Sequence, residues 1–223
     1  MPEPLLALEA VSLHSPEGRP VFRDLTWRLQ RGAKLQLRGA LGGGATAFLR
    51  LCAGLAHPES GSVLLEGAPV DPAAGLNPFL EAGGLGWVPS DGGLLVNLSL
   101  LDNVALPLRF ALNQGGDRAR AVAQEWLDRA GLGAAAGQRP HVPGDGQAWL
   151  ASLARAAAKG SRLWLVDRPA GSLDAPALRA AQELLAQAAQ DPAVTLVVLS
   201  GPWIAAGEPL FIEAGRVSER SEA

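Results

Sequence analysis

The sequence has little that would suit a secreted, membrane-spanning or nucleic-acid-binding protein. Its single cysteine, Cys52, excludes an internal disulfide framework and suits a reducing compartment. The start, Met1-Pro2-Glu3-Pro4, lacks the positive charge of a secretory signal. No run approaches the roughly 20 apolar residues of a membrane span. The net charge of -3 gives no reason to expect a nucleic-acid partner. We therefore expect a soluble, cytoplasmic protein that meets a membrane only through a partner.

What the chain does contain is enough apolar material for one large domain. Of its 223 residues, 48% are hydrophobic and 18% are charged, which supports a sizeable core. Short apolar or alternating runs predict strands at Leu5–Leu13, Leu25–Leu29, Lys34–Arg38, Gly61–Gly67, Leu163–Val166 and Val194–Leu199, and a closing hairpin over Leu210–Val217. Helical spacing predicts helices at Ala45–Leu55, Ala119–Ala130, Gln147–Ala158 and Ala175–Gln190.

The middle of the chain differs from its two ends. From about Ser99 to Ala158 the residues are rich in alanine, leucine, arginine and glutamine, which predicts a mostly helical insertion without a strand of its own. Strands and helices alternate on either side of this insertion. We therefore predict one α/β domain over residues 1–223, with a core from 1–90 and 159–217 and a helical part at about 91–158.

A glycine-rich turn follows the predicted strand at Lys34–Arg38 and leads into a helix. Such a turn can close backbone N–H groups around phosphates, and the helix N-terminus adds its positive dipole end. In the phosphate-binding pattern G-x-x-x-x-G-K-[ST], Thr46 supplies the hydroxyl, but Ala45 takes the lysine position. The glycines of this turn are Gly39, Gly42, Gly43 and Gly44. Taken alone, an ordinary glycine turn remains the alternative.

Longer motifs carry a resemblance that spans nearly the whole chain. The stretch Leu163–Pro169, followed by Ala170–Asp174, closely resembles the Walker B strand and D-loop of the ABC ATPase family. Upstream, Gly146-Gln147 and Ala154-Arg155-Ala156 keep the family's spacing between the signature motif and its Ala-Arg-Ala helix. The string Asn103–Leu108 is similar to ATPases of Mla/Mce-type lipid transporters.

This resemblance implies an α/β P-loop NTPase fold of the ABC ATPase kind. Such a fold has a RecA-like core with a mixed central sheet, an N-terminal antiparallel β part and a helical subdomain. The resemblance also implies an ABC transporter subunit that lies on the inner face of the cytoplasmic membrane. Its expected partners are an integral membrane permease and, as dimer partner, either itself or a second ABC ATPase.

The family's catalytic positions fall on residues that lack the required chemistry. The P-loop lysine neutralises phosphate charge, and Ala45 cannot do so. The glutamate after the Walker B aspartate is Arg168, which stays protonated and cannot accept a proton from water. The Q-loop glutamine falls on Ser90, and the switch histidine falls on Gly201. We therefore expect negligible hydrolysis.

The other nucleotide contacts are altered as well. The aromatic residue that stacks on adenine would lie near Ser15, where His14 is the only ring. The family's signature motif falls on Pro143–Gln147 and has lost its serine, while Asp145 adds a negative charge. The residues that keep its place are Gly144, Asp145, Gly146 and Gln147, and the D-loop aspartate is Asp174. We expect ATP binding that is absent or weaker than millimolar.

Two residues keep the family's chemistry. Thr46 and Asp167 would serve as magnesium ligands, although Asp167 has an alternative role as a brace between the P-loop and the strand end. The leading hypothesis is a catalytically degenerate subunit that acts structurally on a permease and on an active ATPase. The altered signature would also impair a partner's site, which favours a scaffold. The alternatives are a non-transport interaction module with this fold and a weak ATP-binding ATPase.

Overall fold

The computed structural model describes residues 3–39, 42–70, 77–142, 144–199, 207–213 and 215–218. The strands are β1 (Leu6–His14), β2 (Pro20–Leu29), β3 (Lys34–Gly39), β4 (Ser60–Leu65), β5 (Ala68–Pro69), β6 (Leu85–Val88), β7 (Leu163–Val166), β8 (Thr195–Leu199), β9 (Glu208–Glu213) and β10 (Arg216–Ser218). The α-helices are α1 (Ala45–Cys52), α2 (Pro78–Glu81), α3 (Leu100–Phe110), α4 (Gly116–Arg129), α5 (Asp145–Ala158) and α6 (Ala175–Gln190). Within these ranges, no helix is long and apolar enough to cross a bilayer.

The strands form two sheets of different kinds. The first is antiparallel and has four strands in the order β2-β1-β4-β5. The second has six strands in the order β10-β9-β3-β8-β7-β6. Its neighbours run parallel except for the β9–β10 hairpin, which is antiparallel. The predicted α/β fold, with a mixed central sheet and an N-terminal antiparallel part, is therefore confirmed.

Strand β2 begins at Pro20, five residues before the predicted start at Leu25. The pairing of β1 with β2 contains register shifts, and the backbones of Ala10 and Asp24 adopt positive φ angles of 49° and 48°. The backbone N–H of Asp24 donates to Ser12 Oγ at 3.1 Å, which supports this irregularity. Bulges of this kind interrupt the alternation of buried and exposed residues, so the first half of the strand has no clear pattern.

Helix α1 ends at Cys52, three residues before the predicted end at Leu55. The chain reverses at Gly54, where φ is +70°, and the N–H of Leu55 donates back to the carbonyl of Arg50 at 2.8 Å. A Cβ on Gly54 would lie 2.2 Å from a methyl carbon of Val70, so only glycine fits this turn. Cys52 itself is buried.

The central sheet separates two hydrophobic clusters. Because side chains alternate along β7, Trp164 and Val166 pack toward α3, α4, α5 and α6. On the other face, Leu163 and Leu165 pack toward α1 and the antiparallel sheet. All four strand residues are buried, which explains the continuous apolar run in the sequence.

The segment that was predicted to be helical contains α3, α4 and α5, and none of its described residues is in a strand. These three helices pack against one another, and α5 also packs against β6 and α6. Trp149 in α5 is fully buried, and its indole N–H donates to the backbone carbonyl of Asp167 at 2.9 Å. This hydrogen bond joins α5 to the carboxyl end of β7.

Candidate functional site

The glycine-rich turn lies at the carboxyl end of β3, directly before α1. A cavity of about 230 Å³ opens beside it, and its lining includes Gly39, Gly42, Gly44, Thr46 and Arg168. Gly44 has a φ of +95°, which a residue with a Cβ rarely adopts. Gly39, Gly42 and Gly44 of the predicted phosphate-binding turn therefore lie around one cavity.

Ala45 is the first residue of α1 and also lines this cavity. It is buried and contributes only a methyl group where the motif would place an ammonium group. Strand β2 packs against the neighbouring glycine, since a Cβ on Gly44 would lie 3.0 Å from Val21 Cγ1 and 3.3 Å from Phe22 Cζ. Position 45 therefore contributes a methyl group and no cation to this cavity.

Asp167 lies at the end of β7 and is buried. Its Oδ2 accepts a hydrogen bond from Thr46 Oγ1 at 3.0 Å, and its Oδ1 accepts one from the backbone N–H of Arg168 at 2.9 Å. Burial raises the pKa of Asp167, while these hydrogen bonds and the charges of Arg168 and Arg50 oppose that rise. Both carboxylate oxygens therefore have protein donors, which favours the role of a brace between α1 and β7.

If Asp167 is such a brace, two substitutions of it should change the unfolding free energy by different amounts. Asp167→Asn keeps an acceptor for the Arg168 N–H and a polar partner for Thr46, so the unfolding free energy at neutral pH should fall by less than about 0.5 kcal/mol or rise. Asp167→Ala leaves both donors without an acceptor and should cost about 1–3 kcal/mol. Urea unfolding of the two variants tests this, and equal losses in both would contradict it.

The same carboxyl group predicts a pH dependence of stability. Because burial raises the pKa of Asp167, the folded chain binds this proton more tightly than the unfolded chain does. The contribution of Asp167 to stability should therefore fall as pH rises from its unfolded pKa through the raised folded value, and stay constant above that window. Asp167→Asn should remove this component when unfolding is compared across acidic pH.

The signature stretch faces a different cavity, of about 400 Å³, between the start of α5 and the loop before α6. Its lining includes Gly144, Gly146, Gln147 and Asp174. The Asp174 carboxylate caps α6 by accepting from the backbone N–H of Ala177 at 2.8 Å. The P-loop cavity and the signature cavity share no lining residue, so one chain does not bring the two motifs together.

The remaining predicted positions lie apart from the P-loop cavity or outside the described residues. Ser90 follows β6, and its carbonyl accepts from the N–H of Ala170 at 2.7 Å, beside the D-loop. His14 is held by Glu59, with Nδ1 2.8 Å from Oε2. The predicted site residues that fall outside the described part of the chain are Gly201, Pro143 and the side chain of Asp145. In the part of the chain that is described, no three His, Cys, Asp or Glu side chains converge as a metal site.

Known proteins are similar to this chain over most of its length. A family model described as "ABC transporter" matches residues 22–171. The lipoprotein-releasing system ATP-binding protein LolD of Bordetella pertussis is 34% identical over 207 residues, which cover 88% of this chain and 87% of LolD. The chain belongs to the ABC transporter ATP-binding family. Its resemblance to that family, predicted from the Walker B, D-loop and signature spacing, is confirmed.

Other relatives of this ABC cassette differ in length and in name. The Fe(3+) ions import ATP-binding protein FbpC of Pseudomonas fluorescens is 31% identical over 87% of this chain, but the chain spans only 54% of FbpC. A solved structure described as the dimeric structure of MJ0796, a bacterial ABC transporter cassette, superposes with a TM-score of 0.82 at 24% identity. It covers 96% of both chains and confirms the fold.

An apolar groove of about 560 Å³ lies between β6, α3 and α5 of the cassette. Leu95 and Phe110 line it and are 49% and 71% exposed. Val96 and Leu112, which are adjacent in sequence to lining residues, are exposed too. Four of the six large apolar side chains that are exposed in the described residues thus lie at or beside this groove. We call it the α3–α5 groove.

Asn103 shapes the rim of the α3–α5 groove, although sequence reasoning assigned it no role. Its buried amide accepts from the N–H of Leu95 at 2.7 Å and donates to the carbonyls of Leu95 and Ser99 at 3.0 and 2.9 Å. These bonds fix the loop before α3, so Leu95 is held in an exposed position. In the sequence, the only sign of this role is an asparagine among apolar residues of a predicted helical segment, because a polar side chain that is buried there must find hydrogen-bond partners.

The floor of the α3–α5 groove carries two cations that the sequence did not single out. Arg155 donates to the carbonyls of Gly93 and Gly92 at 2.9 and 3.3 Å, and burial lowers its pKa to about 10. Lys159 lies one turn later and donates through Nζ to the carbonyl of Leu85. Burial and the charge of Arg155 lower the pKa of Lys159 to about 8. In the sequence, Arg155 was used only to measure the spacing between the signature motif and the Ala-Arg-Ala helix, and Lys159 belongs to no motif.

Proposed function

We propose that this cassette is a catalytically silent subunit that docks a membrane permease and pairs with itself or with a second ABC ATPase. One observation carries the silent part of this proposal. Arg168, which stands where the family has its catalytic glutamate, lines the P-loop cavity together with the methyl group of Ala45. The cavity thus has no lysine at position 45, and Arg168 cannot accept a proton from water.

Magnesium-ATP fits the residues of this site poorly. Thr46 and Asp167 are the family's magnesium ligands, but here they are hydrogen bonded to each other at 3.0 Å. At the adenine-stacking position, His14 is engaged by Glu59, and Ser15 Oγ donates to Glu17 at 2.8 Å. That position therefore offers an imidazole bound to a carboxylate rather than a free aromatic ring to stack on adenine. We therefore derive no hydrolytic step and propose ATP binding that is absent or weaker than millimolar.

The α3–α5 groove supports the docking part of the proposal. Large exposed apolar side chains grouped at one concave surface mark an interaction site. LolD is named as part of a lipoprotein-releasing system, and MacB of Aeromonas hydrophila is named as an ATP-binding/permease protein. By analogy, the groove of this chain would receive a permease at the inner face of the cytoplasmic membrane. The cargo implied by the likeness to Mla/Mce-type lipid transporter ATPases stays a prediction.

Capture from detergent-solubilised membranes tests the docking. The tagged chain should retain an integral membrane permease, and Phe110→Asp should reduce the yield at least about tenfold, because a charge in an apolar contact is costly. Leu55→Asp is the matched control, since Leu55 is 54% exposed and does not line the groove. This control should capture as much permease as the unmodified chain.

The other outcomes of this capture identify the alternative functions. Recovery of the chain as a monomer without any membrane protein would indicate a non-transport interaction module. An intact second ABC ATPase in the same complex would identify the dimer partner as a different chain. A weak ATPase remains the alternative that the retained Thr46 and Asp167 favour. It requires phosphate release that depends on Asp167, so equal rates for the unmodified chain and Asp167→Asn would exclude it.

A further inference from the structure

Arg155 and Lys159 lie together at the floor of the α3–α5 groove. Arg155 donates to the carbonyls of Gly92, Gly93 and Trp87 and to the hydroxyl of Ser152, all of them uncharged, whereas Lys159 donates to the carbonyl of Leu85. No carboxylate among the described residues forms an ion pair with either of them. Two positive groups one helical turn apart therefore share a partly desolvated site to which the described residues bring no counter-charge.

The surroundings of Lys159 explain why this arrangement is costly for the isolated chain. The methylene Cδ of Lys159, with Ala111 and Leu112, packs around Gly83, and β6 offers only the carbonyl of Leu85. Arg155 is the charged neighbour of Lys159, and its positive charge lowers the pKa of Lys159. A partly buried cation without a counter-charge lowers the stability of the folded chain, because no attraction to an opposite charge offsets the free energy lost on desolvation.

We propose that the α3–α5 groove recognises a permease segment with an apolar face and a carboxylate, and that this carboxylate pairs with Lys159. The proposal rests on the docking function and adds the residue that selects the segment. Apolar contacts with Leu95 and Phe110 would seat the segment, whereas Lys159 would fix its register and exclude apolar segments without an acid. A carboxylate in that position supplies the missing counter-charge for both cations.

A simpler role for Lys159 makes different predictions. Strand β6 is the last strand of its sheet, so Lys159 could serve only to cap the edge carbonyl of Leu85. In that case Lys159→Met would destabilise the isolated chain and leave docking unchanged. If Lys159 is instead held uncompensated for a partner, Lys159→Met should raise the thermal unfolding midpoint by about 2–4 °C. The same variant should weaken permease binding about tenfold or more.

The decisive experiment measures binding of the full chain to the permease that it captures. Lys159→Arg keeps the charge and should bind within about threefold of the unmodified chain, whereas Lys159→Glu should bind more weakly than Lys159→Met. Lys34→Met is the matched control, because Lys34 also donates to backbone carbonyls, but outside the groove, and its pKa is likewise lowered by burial. This control should not affect docking.

Synthetic peptides that cover the permease's cytoplasmic loops identify the segment. Each acidic peptide is made with its carboxylate kept, changed to the amide, or changed to lysine. The amide form should bind the unmodified chain about tenfold more weakly than the acid. The lysine form should bind only to Lys159→Glu. Such a charge-swap rescue would show that the two groups are in contact, since a structural effect of either substitution would not be rescued.

The pH dependence of peptide binding adds a second readout. The pKa of Lys159 is lowered to about 8, so the free chain loses this charge as pH rises through that value. Binding of the acidic peptide should therefore weaken between about pH 7 and about pH 9, whereas binding of the amide form should stay constant. Arg155, the charged group facing Lys159, keeps its proton over most of this range.

Three results would contradict the inference, and they can be told apart. If the chain captures a permease and Lys159→Met captures it equally well, the charge recognition is wrong while the docking function stands. If the unmodified chain captures no membrane protein, the docking function fails and the inference fails with it. Equal affinities for the acidic and amide peptides would also refute the role of Lys159.

Discussion

The purified chain should release phosphate from ATP no faster than its Asp167→Asn variant, and Ala45→Lys should leave that rate unchanged. A lysine at position 45 would restore a cation to the P-loop cavity, but Arg168 would still occupy the position of the catalytic carboxylate. Such groups act together, so restoring one of them restores little. Relative to a cassette that has the P-loop lysine and the catalytic glutamate, turnover should be lower by at least about a thousandfold.

Binding and turnover should respond differently to the same substitutions. Gly42 and Gly44 have positive φ angles of 78° and 95° directly before α1. We therefore expect Ala45→Lys to bring ATP binding into the measurable range in equilibrium titrations with magnesium. The double variant Ala45→Lys with Arg168→Glu should bind ATP but still turn over slowly, because Ser90 and the signature stretch are unchanged. Micromolar ATP affinity of the unmodified chain, or turnover restored by Ala45→Lys alone, would contradict the proposed silent site.

Replacing Trp149 by alanine should have the largest effect on stability. The side chain is fully buried between the helical part and the central sheet, and its indole N–H donates to the carbonyl of Asp167. The cavity that Trp149→Ala would leave should cost about 3–5 kcal/mol. Trp149→Phe is the matched variant, because it keeps a ring but loses the hydrogen bond, and it should cost about 1–2 kcal/mol.

Denaturant unfolding followed by far-ultraviolet circular dichroism would measure both losses without depending on tryptophan fluorescence. A loss below about 1 kcal/mol for Trp149→Ala would mean that the helical part is not anchored through this residue. A loss in Trp149→Phe equal to that in Trp149→Ala would assign the whole effect to the hydrogen bond rather than to packing. We expect the two variants to differ clearly.

The fold was predictable wherever the decisive residues are contiguous. Strand β7 is one apolar run followed by Asp167, and α6 has the predicted bounds because Asp174 caps it and its apolar positions recur at helical spacing. Strand β6 was not predicted, since glycines at 83, 84 and 86 interrupt any alternation. The first half of β2 was missed because bulges displace its pattern.

The candidate site was predictable only in part, for a different reason. The residues at the family positions, such as Ala45 and Arg168, can be assigned by spacing along the chain. The proposed role of Lys159 depends on which charged groups lie near it in the folded chain. Its neighbours from outside α5 are distant in sequence, so no sequence motif indicates them. The Thr46–Asp167 hydrogen bond likewise joins residues that are far apart in sequence. Sequence motifs therefore located the P-loop cavity but not the α3–α5 groove.

The hydrogen bond between Thr46 and Asp167 has a consequence for regulation. The bond ties the start of α1 to the end of β7 through the protein's own side chains, so this contact needs no bound small molecule. If the proposed function is correct, the abundance of this subunit in the cell, rather than the ratio of ATP to ADP, would determine how many permeases carry it. The chain would then compete with ATP-hydrolysing cassettes for the same permease. A higher expression level would lower the number of permeases that can transport.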